Sequence, residues 1–506
     1  MYSPPYSPYK HQITARQRTL ARPDHPAPTD VFALLMEQGT GKTKVLLDEF
    51  GEREDAKDLR NMLIIAPRGA YMNWLDTEIP MHLSDDLKER TLIKPWISSA
   101  GVTYKRTLER FLRTQDRPRI LAVNVESLSV VQAAVDMCQE FIGQRRTMIV
   151  VDESTRIKGL TERSARARNV ITLGERGYVR RIATGLVTPR SPLDLYSQFE
   201  FLDWRILGFR SYYSFRSRYA IIENVGALKR GKRGQVLTDP MTGAVLRQPM
   251  VVGYCNEDEL RARIAPYSYR VLKEDCLDLP PKVYMPPRAV PLTDEQARIL
   301  KELKATAQAQ LATGEFISSK MRMTTLLRMQ QVLCGHVKDE DGKEHPIKSN
   351  RIRSMMEVIE EQEGKIIIWS GFIYSIKEII ATLRKEYGPQ SVVHYYGATK
   401  DKDRTIAKRR FQEDPICRFF VANQESAGLA LTLTQARLCL YYSNTWDLED
   451  RLQSEDRPHR SGLTHSVTYM DLMAEGTMEM KQIKSLRKKL DLATIINGDS
   501  YREWII

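Results

Sequence analysis

One stretch decides the fold: Val31-Phe32-Ala33-Leu34-Leu35-Met36-Glu37-Gln38-Gly39-Thr40-Gly41-Lys42-Thr43. Its apolar first part predicts a buried strand, and the apolar residues from Val45 onwards predict a helix after the glycine-containing loop. Backbone N–H groups at the start of such a helix point at an anion, and glycine lets the backbone approach it closely. The stretch therefore predicts a phosphate site: Lys42 reaches the β- and γ-phosphates, and the Thr43 hydroxyl holds Mg²⁺. The other loop residues that we expect to contact the phosphates are Gln38, Gly39, Thr40 and Gly41.

The loop departs from the strict phosphate-binding pattern at one position, because Met36 stands where that pattern has glycine. A glycine-rich turn without function is the alternative, and the rest of the chain must decide between the two.

Length and composition limit the class of protein. A chain of 506 residues is too long for one core, so two to four domains are expected. No apolar run approaches the ~20 residues that span a bilayer, and the N-terminus lacks the pattern of a signal peptide. We therefore expect a soluble protein of the cytoplasm. The six cysteines include no Cys-x-x-Cys pair, which argues against a zinc site or a disulfide framework.

The chain is strongly basic, with a net charge of +13 and a pI of about 9.3. This charge suggests a polyanion as partner. A basic surface that serves only solubility is the alternative interpretation.

The first 204 residues alternate apolar strands with helical segments, after a short helix around Gln12 to Ala21. Near-continuous apolar strands separated by helices predict a parallel sheet covered on both faces. The predicted strands after the first are Met62 to Pro67, Ile120 to Asn124, Thr147 to Asp152 and Arg181 to Gly185.

Residues 205–290 interrupt this alternation and form a basic insertion or linker. Between Arg205 and Val251 there are seven Arg and two Lys against two acids. An exposed turn is predicted at Gly231 to Gly234, and a β-hairpin is predicted around Asp239 to Gly243.

Residues 291–345 form a helical segment by their periodicity, with a start at Thr293. A second α/β domain is expected over residues 346–506, and it has no phosphate loop. Its predicted strands are Lys365 to Ser370, Ser391 to Tyr395, Arg418 to Ala422, Leu438 to Tyr442 and Ser466 to Met470.

Two groups of polar residues could act on a bound nucleotide. Asp152 and Glu153 end a buried strand, where they would lie beside the phosphate loop. Hydrolysis needs a carboxylate for Mg²⁺, here Asp152, and a group that activates or orients water, here Glu153. In the second domain Gln453, Arg457 and Arg460 recur at helical spacing and could share a face. They could supply an arginine finger, or they could belong to a surface helix of ion pairs.

Taken together, the motifs resemble the helicase core of superfamily two, and within it the Swi/Snf-type translocases of double-stranded DNA. The resemblance covers nearly the whole chain. In chain order the matching motifs are the glutamine motif (Pro8-Tyr9-Lys10-His11-Gln12), motif I (Met36 to Thr43), motif Ia (Ile64-Ile65-Ala66-Pro67-Arg68 and Asn73-Trp74), motif II (Asp152 to Lys158), motif III (Ala183-Thr184-Gly185), the segment between lobes (Arg270, Lys273-Glu274-Asp275 and Leu279-Pro280-Pro281-Lys282), motif IV (Ile367-Ile368-Trp369-Ser370), motif V (Ser426 to Leu433) and motif VI (Gln453 to Arg460).

The sequence also departs from the family pattern. Ser154-Thr155 replace Ala-His in motif II, so the coupling to motif III is expected to use different hydrogen bonds. Leu186 to Pro189 replace the usual Thr-Pro, and Ala430 replaces a glycine. The small size and the lack of accessory modules resemble a viral or bacterial member; for a viral member the compartment would be the host cytoplasm.

The resemblance implies an α/β fold of two RecA-like lobes with ATP in the cleft between them. It assigns Gln12 to adenine, Lys42 and Thr43 to phosphates and Mg²⁺, Asp152 and Glu153 to metal and water, and Gly428 to the nucleotide. Gln453, Arg457 and Arg460 would complete the site from the second lobe. The implied partner is duplex DNA bound without sequence preference, with RNA left open. The candidate backbone contacts are Arg68, Asn73, Ser127, Ser370 and Thr432.

Three alternatives remain open at this point. The first is a strand-separating DNA or RNA helicase of the same superfamily. The second is the motor of a restriction or defence system, which would need a nuclease partner. The third is a nucleic-acid-binding scaffold whose ATPase is silent.

Overall fold

The computed structural model describes residues 2–20, 30–158, 164–186, 188, 191–224, 237–239, 245–312, 319–339, 341–399, 401–425, 431–460 and 462–497. The chain forms two compact units. The first is built mainly from Met1–Ala220 and Tyr254–Asp278, and the second mainly from Ile221–Gly253 and Leu279–Leu490. The predicted turn at 231–234 and the motif V residues 426–430, Gly428 among them, lie outside the described residues.

The first unit is built around a parallel sheet. Within the described residues seven strands pair in the order β3-β4-β2-β5-β6-β1-β9, and each pairing is parallel. A separate pair joins β7 to β8, and most residues of these two strands belong to the second unit. The strands are β1 (Asp30–Met36), β2 (Asn61–Ala66), β3 (Leu92–Pro95), β4 (Arg119–Asn124), β5 (Thr147–Asp152), β6 (Val179–Ala183), β7 (Ala220–Glu223), β8 (Met250–Tyr254) and β9 (Ser268–Val271).

Helices cover both faces of this sheet. Alternate residues of β1 belong to two different hydrophobic clusters: Val31, Ala33 and Leu35 to one, Phe32, Leu34 and Met36 to the other. This is the pattern of a strand buried on both sides. The helices are α1 (Lys10–Leu20), α2 (Lys42–Asp55), α3 (Tyr71–Asn73), α4 (Ile79–His82), α5 (Asp85–Arg90), α6 (Val102–Arg113), α7 (Ser127–Val130), α8 (Gln132–Gln144), α9 (Ala165–Glu175), α10 (Leu195–Leu207), α11 (Tyr212–Tyr219), α12 (Glu257–Ile264) and α13 (Lys273–Cys276).

A buried ionic cluster fixes α2 to the amino end of the sheet. Arg181 is fully buried and its Nη2 lies 2.8 Å from Asp30 Oδ1. Arg53 joins Glu49 on α2, with 2.9 Å between Nε and Oε1, and it also pairs with Asp30. Each charge has an opposite partner, which buried charges require.

The second unit contains a second parallel sheet. Within the described residues the order is β15-β16-β14-β17-β18-β10, and β11 also pairs with β18. Strands β12 and β13 form an antiparallel pair outside it. The strands are β10 (Lys282–Tyr284), β11 (Arg288–Ala289), β12 (His336–Lys338), β13 (Glu344–Pro346), β14 (Lys365–Trp369), β15 (Val392–Tyr395), β16 (Phe419–Ala422), β17 (Ala436–Tyr441) and β18 (Val467–Met473).

Two helices, Asp294–Ala312 and Ser319–Leu333, lie in the segment that was predicted to be helical from Thr293 onwards. Thr293 caps its first helix, because its Oγ1 accepts from the Gln296 N–H at 3.2 Å while its own N–H donates to Gln296 Oε1 at 3.1 Å. The remaining helices are α14 (Asp294–Ala312), α15 (Ser319–Leu333), α16 (Arg351–Glu360), α17 (Ile373–Tyr387), α18 (Asp401–Glu413), α19 (Leu448–Glu455) and α20 (Met478–Asn497).

The basic segment between the two α/β regions is described only in part. Thr238 and Val245 form an antiparallel bridge where the hairpin was predicted, and the Leu246 N–H donates to the Leu237 carbonyl at 2.8 Å. Residues 268–271 of the predicted insertion form β9, which pairs with β1. None of the helices among the described residues combines the length and the apolar character needed to cross a bilayer.

Candidate functional site

The predicted phosphate loop joins β1 to the 14-residue helix α2. Gly39 and Gly41 have φ angles of 82° and 87°, in the left-handed region that favours glycine. The Lys42 Nζ donates to the Met36 carbonyl at 2.9 Å, so its ammonium group lies over the loop. The Met36 side chain is buried in the core, and only its carbonyl faces the loop. A larger residue than glycine is therefore accommodated at position 36.

Helix α1 holds the loop through one carbonyl group. The Thr40 carbonyl accepts from His11 Nε2 at 2.8 Å and from Gln12 Nε2 at 3.1 Å. Gln12 Oε1 accepts from the Tyr9 N–H at 3.0 Å. Both ends of the Gln12 amide thus bind protein groups, which gives this residue a part in shaping the loop.

The acidic pair lies at the carboxyl end of β5. One strand, β6, separates β5 from β1 in the sheet. Asp152 Oδ2 accepts from the Trp74 indole N–H at 2.8 Å, and Oδ1 accepts from the Glu153 N–H at 3.0 Å. Burial raises the pKa of Asp152, while the indole N–H and the charge of Lys42 act in the opposite direction.

Glu153 has an unusual backbone conformation. Its φ of 47° and ψ of 58° are left-handed, which costs a non-glycine residue about 1–3 kcal/mol, and strained residues of this kind cluster at functional sites. Its Oε1 lies 3.4 Å from Gln38 Nε2. The first unit therefore brings together the loop residue Gln38 and the acidic pair, as the sequence predicted.

The residues that replace Ala-His in motif II are fully buried. The Ser154 hydroxyl donates to Gln198 Oε1 on α10 at 2.6 Å, and Gln198 Nε2 donates to the Asp194 carbonyl at 2.8 Å. Gly185 of motif III packs against the loop, since a Cβ on Gly185 would lie 3.2 Å from the backbone nitrogen of Gln38. Motif II is thus bound to α10 and motif III to the phosphate loop.

The predicted helical face with Gln453, Arg457 and Arg460 is wrong, because α19 ends at Glu455. Pro458 explains the early end: it has no N–H to donate, and its ring disfavours a helical residue before it. Gln453 is the member inside the helix, and Arg457 and Arg460 lie in the turn 456–460 that follows. Arg457 is buried, and its carbonyl accepts from the Leu433 N–H at 3.0 Å.

The segment around β10 binds this turn and the end of α19. Lys282 Nζ lies 3.0 Å from Asp456 Oδ1, and the Tyr284 hydroxyl donates to Glu455 Oε2 at 2.9 Å. His459 Nε2 donates to the Pro280 carbonyl at 2.8 Å. The two arginines therefore sit on a turn that the second unit holds from several sides.

Three of the five predicted nucleic-acid contacts lie in the first unit. Arg68 is exposed after β2, and its N–H donates to Glu126 Oε2 at 3.0 Å. Ser127 follows the adjacent strand β4, with its hydroxyl 3.3 Å from that of Ser98. Asn73 Nδ2 donates to Glu78 Oε1 at 3.1 Å. Arg68 and Ser127 thus share one edge of the sheet.

The other two lie in the second unit. Ser370 follows β14 but is fully buried, and its hydroxyl lies 3.4 Å from that of Ser443. Thr432 is partly exposed. The Ser370 side chain therefore supports the carboxyl edge of the sheet from within, and its contact with nucleic acid stays a prediction.

Two residues of the site were quoted in motifs but received no role from the sequence, His11 and Trp74. Trp74 lies 78 positions from Asp152. Its contact arises because β2, which precedes it, pairs directly with β5. The contact could not be predicted, because the sequence pattern does not show the order of the strands in the sheet.

Two parallel α/β sheets, one with a phosphate loop and an acidic pair at its carboxyl edge, define the class of two-lobed RecA-like proteins. Residues 348–462 match the family model "Helicase conserved C-terminal domain". This match shows that the second α/β region is similar to the C-terminal domain of helicases.

The similar proteins include curated relatives and a solved structure. The TATA-binding protein-associated factor MOT1 of Saccharomyces cerevisiae is 22% identical over 91% of this chain and 26% of its own. The uncharacterized ATP-dependent helicase MG018 of Mycoplasma genitalium is 20% identical over 92% of this chain and 40% of its own. The chain therefore spans less than half of either relative. The Sulfolobus solfataricus SWI2/SNF2 ATPase core in complex with dsDNA is 24% identical, with 99% of this chain and 95% of that chain covered and a TM-score of 0.41.

Proposed function

We propose that this chain is an ATP-hydrolysing motor that binds duplex DNA and translocates along it. One observation carries the proposal: the phosphate loop and the acidic pair meet in the first unit, where Gln38 Nε2 lies 3.4 Å from Glu153 Oε1. A loop that binds phosphate and a carboxylate that orients water are the two parts that hydrolysis requires. The match to a helicase domain and the similarity to an ATP-dependent helicase support the use of a nucleotide.

The residues at the loop fit Mg²⁺ held together with phosphates. Thr43 and Asp152 offer oxygen ligands, which Mg²⁺ prefers. No group of three His, Cys, Asp or Glu side chains in the described part of the chain could hold a metal by itself. Mg²⁺ in nucleotide sites takes one or two protein oxygens and completes its shell with phosphates and water. When bound there, it would neutralise charge on the transferred phosphate.

The chain's own residues would then have separate roles. The N-terminus of α2 and Lys42 would bind the phosphates, and the Asp152 carboxylate would help to hold the metal. Glu153 orients the attacking water from its left-handed backbone position. The roles of Gln453, Arg457, Arg460 and Gly428 in hydrolysis stay predictions from the resemblance.

A cleft beside the loop suits the nucleotide base. It has a volume of about 700 Å³, and its lining residues include Tyr9, Lys10, His11, Tyr269 and Glu274. Because His11 also binds the Thr40 carbonyl, the cleft adjoins the phosphate loop. We assign adenine to this cleft, where tyrosine rings can pack against the base and carboxylates can accept from its amino group.

DNA would be held mainly through its phosphates. The net charge of +13 favours a polyanion, and such binding is independent of sequence and sensitive to salt. Arg68, Asn73 and Ser127 are the contacts that we propose for the first unit, and Thr432 and Ser370 for the second. Asn73-Trp74 are typical of the translocase branch, so duplex DNA is proposed ahead of single strands or RNA.

The test is ATP hydrolysis by the purified chain with no nucleic acid, duplex DNA, single-stranded DNA or RNA. We expect duplex DNA to give the largest stimulation and Lys42→Ala to abolish it. Greater stimulation by single strands or RNA would favour a strand-separating helicase. No turnover under any condition would contradict a motor and leave a nucleic-acid-binding scaffold.

A further inference from the structure

Trp74 makes a polar contact that packing alone does not require. Its indole N–H donates to Asp152 Oδ2 at 2.8 Å, and its ring is 2% exposed. It is the first residue of a π-helical turn, Trp74–Glu78. Such turns are rare and frequently occur at functional sites.

The contact completes the support of the Asp152 carboxylate. The other oxygen accepts from the Glu153 N–H at 3.0 Å, so each oxygen is held by a different donor. A carboxylate held at both oxygens cannot rotate freely about its Cβ–Cγ bond. Hydrogen bonds of this kind orient metal ligands, and their loss lowers metal affinity by about 10–100-fold.

We propose that Trp74 is a positioning residue that orients Asp152 for Mg²⁺ in the nucleotide complex. The inference rests on the proposed function, because it needs a nucleotide with Mg²⁺ at the loop. The alternative is that Trp74 only fills space, since it belongs to the hydrophobic cluster on one face of the first sheet. The two readings differ in whether the N–H matters.

Binding of fluorescently labelled ADP, followed by anisotropy in Mg²⁺ and in EDTA, separates these readings. Mg²⁺ should increase the affinity of the wild type for labelled ADP relative to EDTA. We expect this increase to be about 10-fold smaller in Trp74→Phe, which is the lower end of the effect of losing a residue that binds a metal ligand. Binding in EDTA should stay as in the wild type. Trp96→Phe is the matched control, because the Trp96 indole also donates a hydrogen bond, to Ser98 Oγ at 3.2 Å, away from Asp152.

A second variant removes the N–H without changing the shape of the side chain. Incorporation of 3-benzothienylalanine at position 74 replaces the indole N–H by sulfur and keeps both rings. It should reproduce the loss seen with Trp74→Phe, and its circular dichroism spectrum and melting temperature should match the wild type. This variant decides the matter if Trp74→Phe folds poorly.

The possible results separate this inference from the proposed function. If Mg²⁺ increases the ADP affinity of the benzothienyl variant as much as that of the wild type, the inference is overturned and the proposed function stays intact. Wild-type protein that binds ADP equally well with and without Mg²⁺ would also overturn the inference. Wild-type protein that binds no nucleotide would overturn both.

Discussion

Gly41 shows at the scale of one residue how the loop depends on its neighbours. Its φ is 87°, and a Cβ at this position would lie 2.1 Å from Gln12 Nε2. Both the backbone and the space therefore exclude a side chain. Gln12 in turn binds the carbonyl of Thr40, so a displaced Gln12 would release the loop.

Gly41→Ala should therefore weaken nucleotide binding more than it weakens the fold. We expect labelled ADP to bind at least about 10-fold more weakly, since a strained residue of about 1–3 kcal/mol shifts the loop away from its binding conformation. Gly101→Ala is the control, because Gly101 has a φ of −68° and no atom within 4 Å of an added Cβ. Equal binding by both variants would contradict this account of the loop.

Asp30 gives the first unit a pH-dependent stability. Burial alone would raise the pKa of Asp30, but Arg181 and Arg53 outweigh it and hold the pKa below its ordinary value. Because the pKa is lower in the folded than in the unfolded state, the stabilisation is complete above about pH 4 and is lost as the pH falls through the folded value.

Asp30→Asn should cost about 3–5 kcal/mol at pH 7, because it leaves buried arginine charge uncompensated. The difference from wild type should shrink below about pH 4. Urea unfolding measures this difference in the free energy of unfolding at pH 7 and below about pH 4. Hydrogen exchange in peptides from β1 and α2 is used to monitor the unfolding. Asp85→Asn, an exposed carboxyl paired with Lys88, is the control. A difference that is constant with pH would contradict the role of the carboxylate.

The sequence predicted single residues best where a motif is local. Lys42 and Gln38 follow from one loop, and Asp152 and Glu153 from one strand end. His11 and Trp74 could not be assigned in this way, because their hydrogen bonds depend on which strands and helices become neighbours.

At the scale of elements, the central strands were predictable, whereas β15 was the one edge strand of the two described sheets that the sequence predicted. β1, β2, β4 and β5 are continuous apolar runs because both of their faces are covered. β3 and β9 are short, contain polar residues and lie at the edges of their sheet, so their sequences give no comparable signal. The same holds for β10 and β11 in the second unit.

The turn that carries Arg457 and Arg460 illustrates a predicted helix that ends early. The spacing of these residues suggested one helical face, but Pro458 ends the helix early. Contacts from the β10 segment hold the turn instead. Since Lys282 Nζ lies 3.0 Å from Asp456 Oδ1, the turn depends on a residue 174 positions away in the sequence.

Lys282→Met should therefore disturb catalysis through the turn. If the arginines stabilise the transferred phosphate, we expect kcat for ATP to fall about 10-fold with little change in KM, the pattern of a lost transition-state interaction. Lys301→Met, at an exposed position of α14, should behave as wild type. Unchanged kcat in the Lys282 variant would show that this ion pair does not position the arginines.

At the scale of the whole molecule, two α/β regions and their order along the chain were predictable from sequence. The alternation of apolar strands and helices was sufficient for that, and the motifs followed it. The sequence did not predict which residues make up the first unit. Residues 254–278 belong to it, although they come from the segment that was predicted to be a basic insertion or linker. Pairing over such a distance leaves no periodic signal in the sequence.

Strand displacement tests most directly whether the chain is a motor on duplex DNA. A duplex that carries a third strand in its major groove loses that strand when a protein translocates through it, without separation of the duplex. We predict ATP-dependent release of the third strand by the wild type and none by Lys42→Ala. ATP hydrolysis stimulated by duplex DNA without any release would contradict translocation.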